Sequence, residues 1–413
     1  MSNDIMMSLG ELRSKQEEYE VWDQTKQAWV LYKNSDYSKS SGFPNIFTAN
    51  ERINLISVQA GDNIYSFGLH PLTDGVVPPD DVVYVHCKDE ADLLVKFLLM
   101  LGKYKPDVIT GWNSNGFDIP YLYNRMCVVL TEDDAKMLSP LGMCKKVLTN
   151  NLGREGVAIE ISGLQTLDYL ELYRKFELSP RENYKLDTIG LIEVNEGKLE
   201  YEGSFKHFSR VENWGQFCQY NWRDVRLVKK LDTKLQFIRV AFAMALSSKC
   251  NFGDVYRVTR IWDNIIANHL RAKNIHVDAD FHHVGETYEG AYVKPTIPGL
   301  YEWCASFDVA SLYPSMIIQY NISPDTILPR STFHNIGAQD VITNSDKFKV
   351  AISDALSKNA TLCANGSMYS KSKQGFLPEL VEHYFAKRVS AKNEMKRWAK
   401  EAERVKLELE KRG

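Results

Sequence analysis

The chain has 413 residues, 44% hydrophobic and 25% charged, with a formal net charge of −3. This predicts a globular chain of two or three domains and excludes a uniformly basic nucleic-acid coat, so any DNA contact must come from local clusters of Lys and Arg. No apolar run approaches a membrane span, no secretory signal opens the chain, and the cysteines at 87, 127, 144, 218, 250, 304 and 363 form no C-x-x-C pair, which predicts a reduced, cytoplasmic, zinc-free protein.

Residues 1–16 read as a polar tail. Glu18–Trp22 alternates like a strand, with Glu18 and Glu20 on one face. A polar stretch, Asn34–Ser41, precedes a strand over Arg52–Gln59 and another over Val82–His86. Leu93, Leu94, Phe97 and Leu98 have helical spacing within Ala91–Leu101. Val108–Gly111 is a short buried strand. The mixture predicts an α/β fold.

In GWNSNGFDIPYLYNRM (111–126), Asp118 stands at a helix N-cap position with Pro120 just inside. Asn113 and Asp118 can both reach a site at the end of strand 108–111. QYNWRDVRLVKKLDTKLQFI (219–238) is helical by period, and Tyr220 and Asp224, four apart, share a face. Taken singly, Asp118 reads as a cap and the Tyr220/Asp224 pair as a solvated face. Phe242–Val277 is mostly helical. In VDADFHH (277–283), Asp278, Asp280 and His282 read as the polar face of an exposed hairpin edge. Gly290, in TYEGAYV (287–293), allows close backbone approach.

Across Trp303–Thr326, Ala305, Phe307 and Val309 alternate with Ser306 and Asp308. The pattern predicts a half-buried strand with Asp308 turned outward. Tyr313-Pro314 then opens a helix, with Pro314 suited to its first position. Pro329–Ser357 reads as an insertion. A long helix covers Pro378–Arg412, with Arg388 and Lys392 four apart.

DVASLYPSMI (308–317) resembles motif A of family B DNA polymerases, D-x-x-S-L-Y-P-S-[IM]-I. The resemblance implies that Asp308 binds both catalytic Mg²⁺ ions. It gives the incoming triphosphate to the backbone of Ser311, Leu312 and Tyr313, and the exclusion of a 2′-OH to the Tyr313 ring. Arg388 and Lys392 then grip the triphosphate, and Tyr288 and Gly290 contact template DNA. Segments 111–126 and 219–238 resemble the second and third motifs of the family's RNase H-like 3′–5′ exonuclease. This implies Asp118 and Asp224 as ligands of two Mg²⁺ (or Mn²⁺) ions, Tyr220 as the residue orienting the water, and Asn113 and Phe117 as DNA contacts.

The family's first exonuclease motif is D-x-E. Here Glu18-Tyr19-Glu20 makes Glu18 and Glu20 the candidate ligands, Glu18 with a longer arm than Asp. A rival stretch, WVLYKNSD (29–36), offers Asp36 alone. TLDYLELYRKF (166–176) is similar to polymerases of T4-type bacteriophages, and the resemblance runs from about Phe43 to about Lys400.

Motif B (K-x-x-x-N-S-x-Y-G) and motif C (Y-G-D-T-D-S) do not occur in these residues. The expectation is the amino-terminal portion of a replicative polymerase. Its parts are a tail (1–16), an exonuclease domain (17–240), a helical connection (241–284), a partial palm (285–362) and the start of the fingers (363–413). The implied partners are primer–template DNA, a single-stranded 3′ end, dNTP, a carboxy-terminal chain carrying motifs B and C, and a sliding clamp. The implied location is the host cytoplasm. The alternatives are a stand-alone 3′–5′ exonuclease and a catalytically silent DNA-binding or assembly module.

Overall fold

The structure is a computed structural model and describes residues 18–23, 28–33, 44–72, 75–151, 154–199, 211–276 and 295–412. The chain divides into two compact units, Met1–Trp262 and Asp263–Gly413.

In the first unit, β1 (Glu18–Asp23) pairs antiparallel with β2 (Ala28–Lys33). β3 (Leu55–Ala60) turns at Gly61, whose φ of 64° suits a residue without Cβ, into antiparallel β4 (Asn63–Gly68). β5 (Val82–His86) adds parallel to β4. α1 (Glu90–Tyr104) is capped by Asp89, which accepts the Asp92 N–H at 2.8 Å. It buries Leu93, Leu94, Phe97 and Leu98, the face its period predicts.

β6 (Val108–Gly111) leads through a wide turn, Ser114–Asp118, into α2 (Ile119–Val129) and α3 (Glu132–Lys136). The hairpin β7 (Cys144–Asn151) and β8 (Arg154–Ile161) follows. β9 (Gln165–Asp168) then runs parallel to β6, with Gly111 opposite Asp168. The remaining elements are helices: α4 (Tyr169–Phe176), α5 (Leu186–Val194), α6 (Trp214–Leu235) and α7 (Phe237–Ser248). Leu167, Tyr169, Tyr173, Ile189, Leu227, Leu231 and Phe237 form the core that joins β9 to these helices. The helix expected over 219–238 breaks at Gln236, which takes a left-handed φ of 54°. α8 covers Val258–Ala272.

The second unit departs from expectation where Asp308 lies. The predicted strand over 305–309 has no regular structure, and Trp303, Phe307 and Val309 are 98%, 94% and 62% exposed. A strand needs a neighbour for its N–H and C=O groups, and among the described residues none pairs with this stretch. α9 (Leu312–Tyr320) starts two residues earlier than predicted, so Pro314 is its third residue. That position is still within the first turn, where no N–H has an intrahelical acceptor.

The insertion holds α10 (Ala338–Ile342) and α11 (Asp346–Ser357). β10 (Ala360–Leu362) pairs with β11 (Met368–Ser370) before α12 (Phe376–Arg412). Buried Asn321 ties this unit together. Its amide donates to the carbonyls of Ser370 (2.6 Å) and Lys373 (2.9 Å), and its Oδ1 accepts the Gly375 N–H at 2.9 Å. Asp278, Asp280, His282, Tyr288 and Gly290 lie outside the described residues.

One buried ion pair fastens α1 to α2 in the first unit. Arg125 donates to both oxygens of Glu90 at 2.8 and 2.6 Å and to the Ala49 carbonyl at 3.0 Å. Glu90 also accepts the Ile53 N–H at 2.7 Å. Removing one partner strands a charge with little access to water, so Glu90→Ala should destabilise the first unit by about 3 kcal/mol. Urea unfolding followed by tryptophan fluorescence measures this; an unchanged midpoint would refute it.

Candidate active site

The site gathers at the carboxyl ends of β6 and β9. Asp168, 1% exposed, accepts the N–H groups of Asn113 (3.0 Å), Asn115 (2.9 Å) and Leu170 (2.9 Å). Asn113 takes a left-handed φ of 63°, and its carbonyl receives the N–H groups of Gly116 and Phe117. The Asn113 side chain lies over Gly116, where a Cβ would come within 2.5 Å of its Oδ1. The turn it begins ends at Asp118.

Asp118 stands at the N-cap position expected from the sequence but does not act as a cap. Its backbone is helical (φ −62°, ψ −49°), and its side chain makes no capping hydrogen bond. Its carboxylate is therefore not consumed by the helix. Solvent reaches the residue, yet the protein atoms around it raise its pKa to about 6. The Asp168 charge adds to the rise, and Lys198 opposes it.

Tyr220 and Asp224 share a face of α6, as predicted. Lys198 brings them together: its Nζ donates to Asp224 Oδ2 at 2.5 Å and to the Tyr220 hydroxyl at 3.1 Å, and lies 5.1 Å from the Tyr220 ring centroid. Burial raises the Asp224 pKa, Lys198 draws it down, and Asp187 raises it further. Asp224 Oδ1 is buried without a hydrogen-bond partner. Burial works against the Lys198 charge, but the Asp224 charge and its hydrogen bond outweigh that, so the pKa is raised and Lys198 stays an ammonium. Its strand-free loop is held by Asp187, whose Oδ1 accepts the Lys198 N–H at 2.7 Å.

Lys198 and Asp168 were not among the residues singled out from the sequence. Lys198 lies in irregular chain with no period to mark it; the one signal is Gly197 before it, packed on Asp187 Oδ1. Asp168 shows only the strand-to-helix boundary at which an Asp caps α4.

Glu18 and Glu20 lie on β1, which pairs with β2 and lies against β7. Among the described strands, β6 pairs with β9 and not with β1. The side chains of Glu18 and Glu20, and the whole of Asp36, lie outside the described residues. Phe117 stacks on Tyr121, with centroids 5.4 Å apart. No group of three or more acidic, His or Cys side chains converges as a metal cluster among the described residues.

In the second unit Asp308 and Tyr313 are exposed, Tyr313 by 75%. Ser311 takes a left-handed φ of 52° at the entrance to α9 and makes no side-chain cap. The first N–H groups of α9 thus lack intrahelical acceptors beside Asp308 in sequence, a setting that suits an anion. Arg388 and Lys392 are exposed on α12, against which α9 packs.

Comparison with known proteins gives one family at both ends. The DNA polymerase family B exonuclease domain matches residues 38–189, and DNA polymerase family B matches residues 254–411. The DNA-directed DNA polymerase of Escherichia phage RB69 is 36% identical over 317 residues, 76% of this chain and 34% of that protein. That of Enterobacteria phage T4 is 32% identical over 316 residues, with the same coverage. The DNA polymerase delta catalytic subunit of Caenorhabditis elegans is 26% identical over 345 residues. The chain spans about a third of the length of the curated relatives it matches.

The raised pKa of Asp118 predicts a pH-dependent stability. An unfolded Asp ionises near about 3.9, the folded one near about 6. Above pH 6 the folded chain carries a charge that its surroundings disfavour; as pH falls through 6 toward 4, protonation relieves that cost. Asp118→Asn should raise Tm at pH 8 in chelator, and the gain should fade by pH 4. An equal gain at both pH values would refute this.

Proposed function

The chain belongs to DNA polymerase family B, and on that basis we propose that its first unit is a 3′–5′ exonuclease of RNase H-like fold and its second the opening part of a polymerase site, in a replicative DNA polymerase. The observation that carries the exonuclease reading is Lys198: its ammonium binds Asp224 and Tyr220 and acts electrostatically on Asp118.

The acids fit a divalent cation. Asp224 has a buried oxygen without a partner, Asp118 has no cap to serve, and burial has raised both. Asp118 and Asp224 are the proposed ligands of Mg²⁺ or Mn²⁺, with Glu20, and Glu18 beside it, supplying what a second ion needs. Such ions supply the charge that stabilises the attacking water and the leaving oxygen of a phosphodiester. The Tyr220 hydroxyl orients that water. Lys198, once Asp224 is otherwise engaged, is free to pair with a phosphate oxygen. Asn113 and Phe117, beside Asp118, flank the DNA end.

In the second unit, Asp308 is the proposed palm ligand. The start of α9 at Ser311 and Leu312 receives the triphosphate, Tyr313 lies against the sugar, and Arg388 and Lys392 add positive charge. Polymerisation by two metals needs a further palm acid. That acid, with motifs B and C, comes from protein beyond these residues, whether continuous with them or in a partner chain. Primer–template DNA and dNTP are the substrates, a sliding clamp is a further partner, and the host cytoplasm is the setting. One observation favours a silent binding or assembly module instead: β1 pairs with β2 and not with β6.

Digestion of 5′-labelled single-stranded DNA with Mg²⁺ or Mn²⁺ decides between these. Asp118→Ala and Asp224→Ala should each lose about a hundredfold or more, and Tyr220→Phe about tenfold, since it removes an orienting hydroxyl and no ligand charge. Absence of metal-dependent digestion by the wild-type chain would leave the binding-module reading standing.

With a protein supplying motifs B and C, Asp308→Ala should abolish primer extension and spare the exonuclease. Under the same conditions Tyr313→Ala should admit ribonucleotides. Extension by Asp308→Ala, or unchanged sugar discrimination by Tyr313→Ala, would sink the corresponding assignment.

A further inference from the structure

Asp168 is a buried carboxylate that carries none of the roles assigned above. Each of its oxygens is engaged: Oδ1 accepts the N–H groups of Asn113 at 3.0 Å and Leu170 at 2.9 Å, and Oδ2 accepts that of Asn115 at 2.9 Å. The bond to Leu170 is an ordinary cap for α4. The other two reach across the β6–β9 ladder to a loop 55 and 53 residues away in sequence. A carboxylate this saturated with backbone donors is a poor metal ligand and a good clamp, because charge-assisted bonds to N–H groups are short and directional.

What it clamps is the turn that aims Asp118. Asn113 is fixed in a left-handed conformation. Its carbonyl accepts from Gly116 at 3.1 Å and from Phe117 at 3.0 Å, and the Ile119 N–H returns to the Ser114 carbonyl. Asp118 is the last residue of that turn. With no cap bond of its own, its direction depends on the backbone beneath it.

We propose that Asp168 is a positioning residue of the exonuclease centre, holding the Asn113–Asp118 turn in the conformation that presents Asp118. The inference rests on the exonuclease reading. It assigns Asp168 no contact with DNA or metal.

Two substitutions separate the clamp from the helix cap. Asp168→Asn keeps the shape but turns an amide N–H toward one of the loop donors. Asp168→Ser keeps a competent cap for α4 and is too short to reach the loop. The full chain is assayed on single-stranded DNA with Mn²⁺, with amide exchange of Asn113 and Asn115 followed in parallel.

The expected result is a kcat about ten- to a hundredfold lower in both variants, as for a shift of about 1 Å at a reacting group. KM should stay within about twofold, exchange at Asn113 and Asn115 should quicken, and Tm should remain cooperative. Wild-type kcat in Asp168→Ser would reduce Asp168 to a helix cap and overturn the proposal, as would unchanged exchange at Asn113 and Asn115. A parallel collapse of kcat, KM and Tm in both variants would make the role structural and overturn it too. An inactive wild-type chain is a separate failure, that of the exonuclease reading itself, and is read from the control before either variant.

Discussion

The four-residue parallel ladder between β6 and β9 is the constraint on which the first unit depends. Its register sets Gly111 opposite Asp168, so the loop leaving one strand and the helix leaving the other start side by side. Carboxyl ends of parallel strands are where an α/β sheet leaves room for chemistry, because successive loops open there. Here that geometry produces two kinds of acid within one small region. Asp168 is buried and saturated by N–H groups, so it fixes the backbone. Burial raises all three carboxyls, but Asp224 keeps an oxygen without a partner and Asp118 makes no capping bond, so these two retain capacity for an added cation. The contrast is physical: a satisfied carboxylate builds, and an unsatisfied one binds.

Lys198 makes this arrangement tolerable without metal. Burial drives the Asp118 and Asp224 carboxyls toward their neutral forms, with Asp168 adding to the first and Asp187 to the second. An ammonium that bonds Asp224 directly and acts on Asp118 at longer range offsets part of that cost. The pair is half-buried, with side-chain exposures of 30% and 22%, so water screens only some of the interaction. The same ammonium reaches the Tyr220 hydroxyl and ring face. One cation therefore orders two side chains of α6 and acts at longer range on Asp118.

How much of this could be read from the sequence follows from how local each signal was. Tyr220 and Asp224 were legible because a helix places residues four apart on one face whatever surrounds them. The strands at 82–86 and 108–111 and helix α1 were legible from their apolar period. Asp118 was legible at the start of the correct helix, but that it makes no capping bond was not, because a preceding wide turn carries helical backbone through it. Lys198 and Asp168 were invisible for opposite reasons. Lys198 sits in irregular chain, positioned by its N–H donating to Asp187, a bond that no periodicity announces. Asp168 carries the mark of an ordinary cap, and its second task appears only once β6 lies beside β9.

The predicted strand at Asp308 shows where local pattern runs out. Alternation of Ala305, Phe307 and Val309 states that one face should be covered, but not by what. In the described structure that face is open, with Phe307 and Trp303 almost wholly exposed. A few residues later the chain is fully ordered: Asn321 satisfies two carbonyls and an N–H across the unit, and Thr326 returns a hydroxyl to the Asn321 carbonyl at 2.6 Å. The difference lies in the partners. Asn321, Thr326 and the carbonyls they meet all belong to this unit, so their geometry closes locally. A strand's hydrogen bonds close only against another strand, and a half-buried pattern is satisfied only by an opposing apolar surface. Lys198, Tyr220 and Asp224 have their partners within the first unit, so the chemistry proposed for them can be tested apart from polymerisation. Asp308 sits on a segment whose alternation calls for cover that the described residues do not supply.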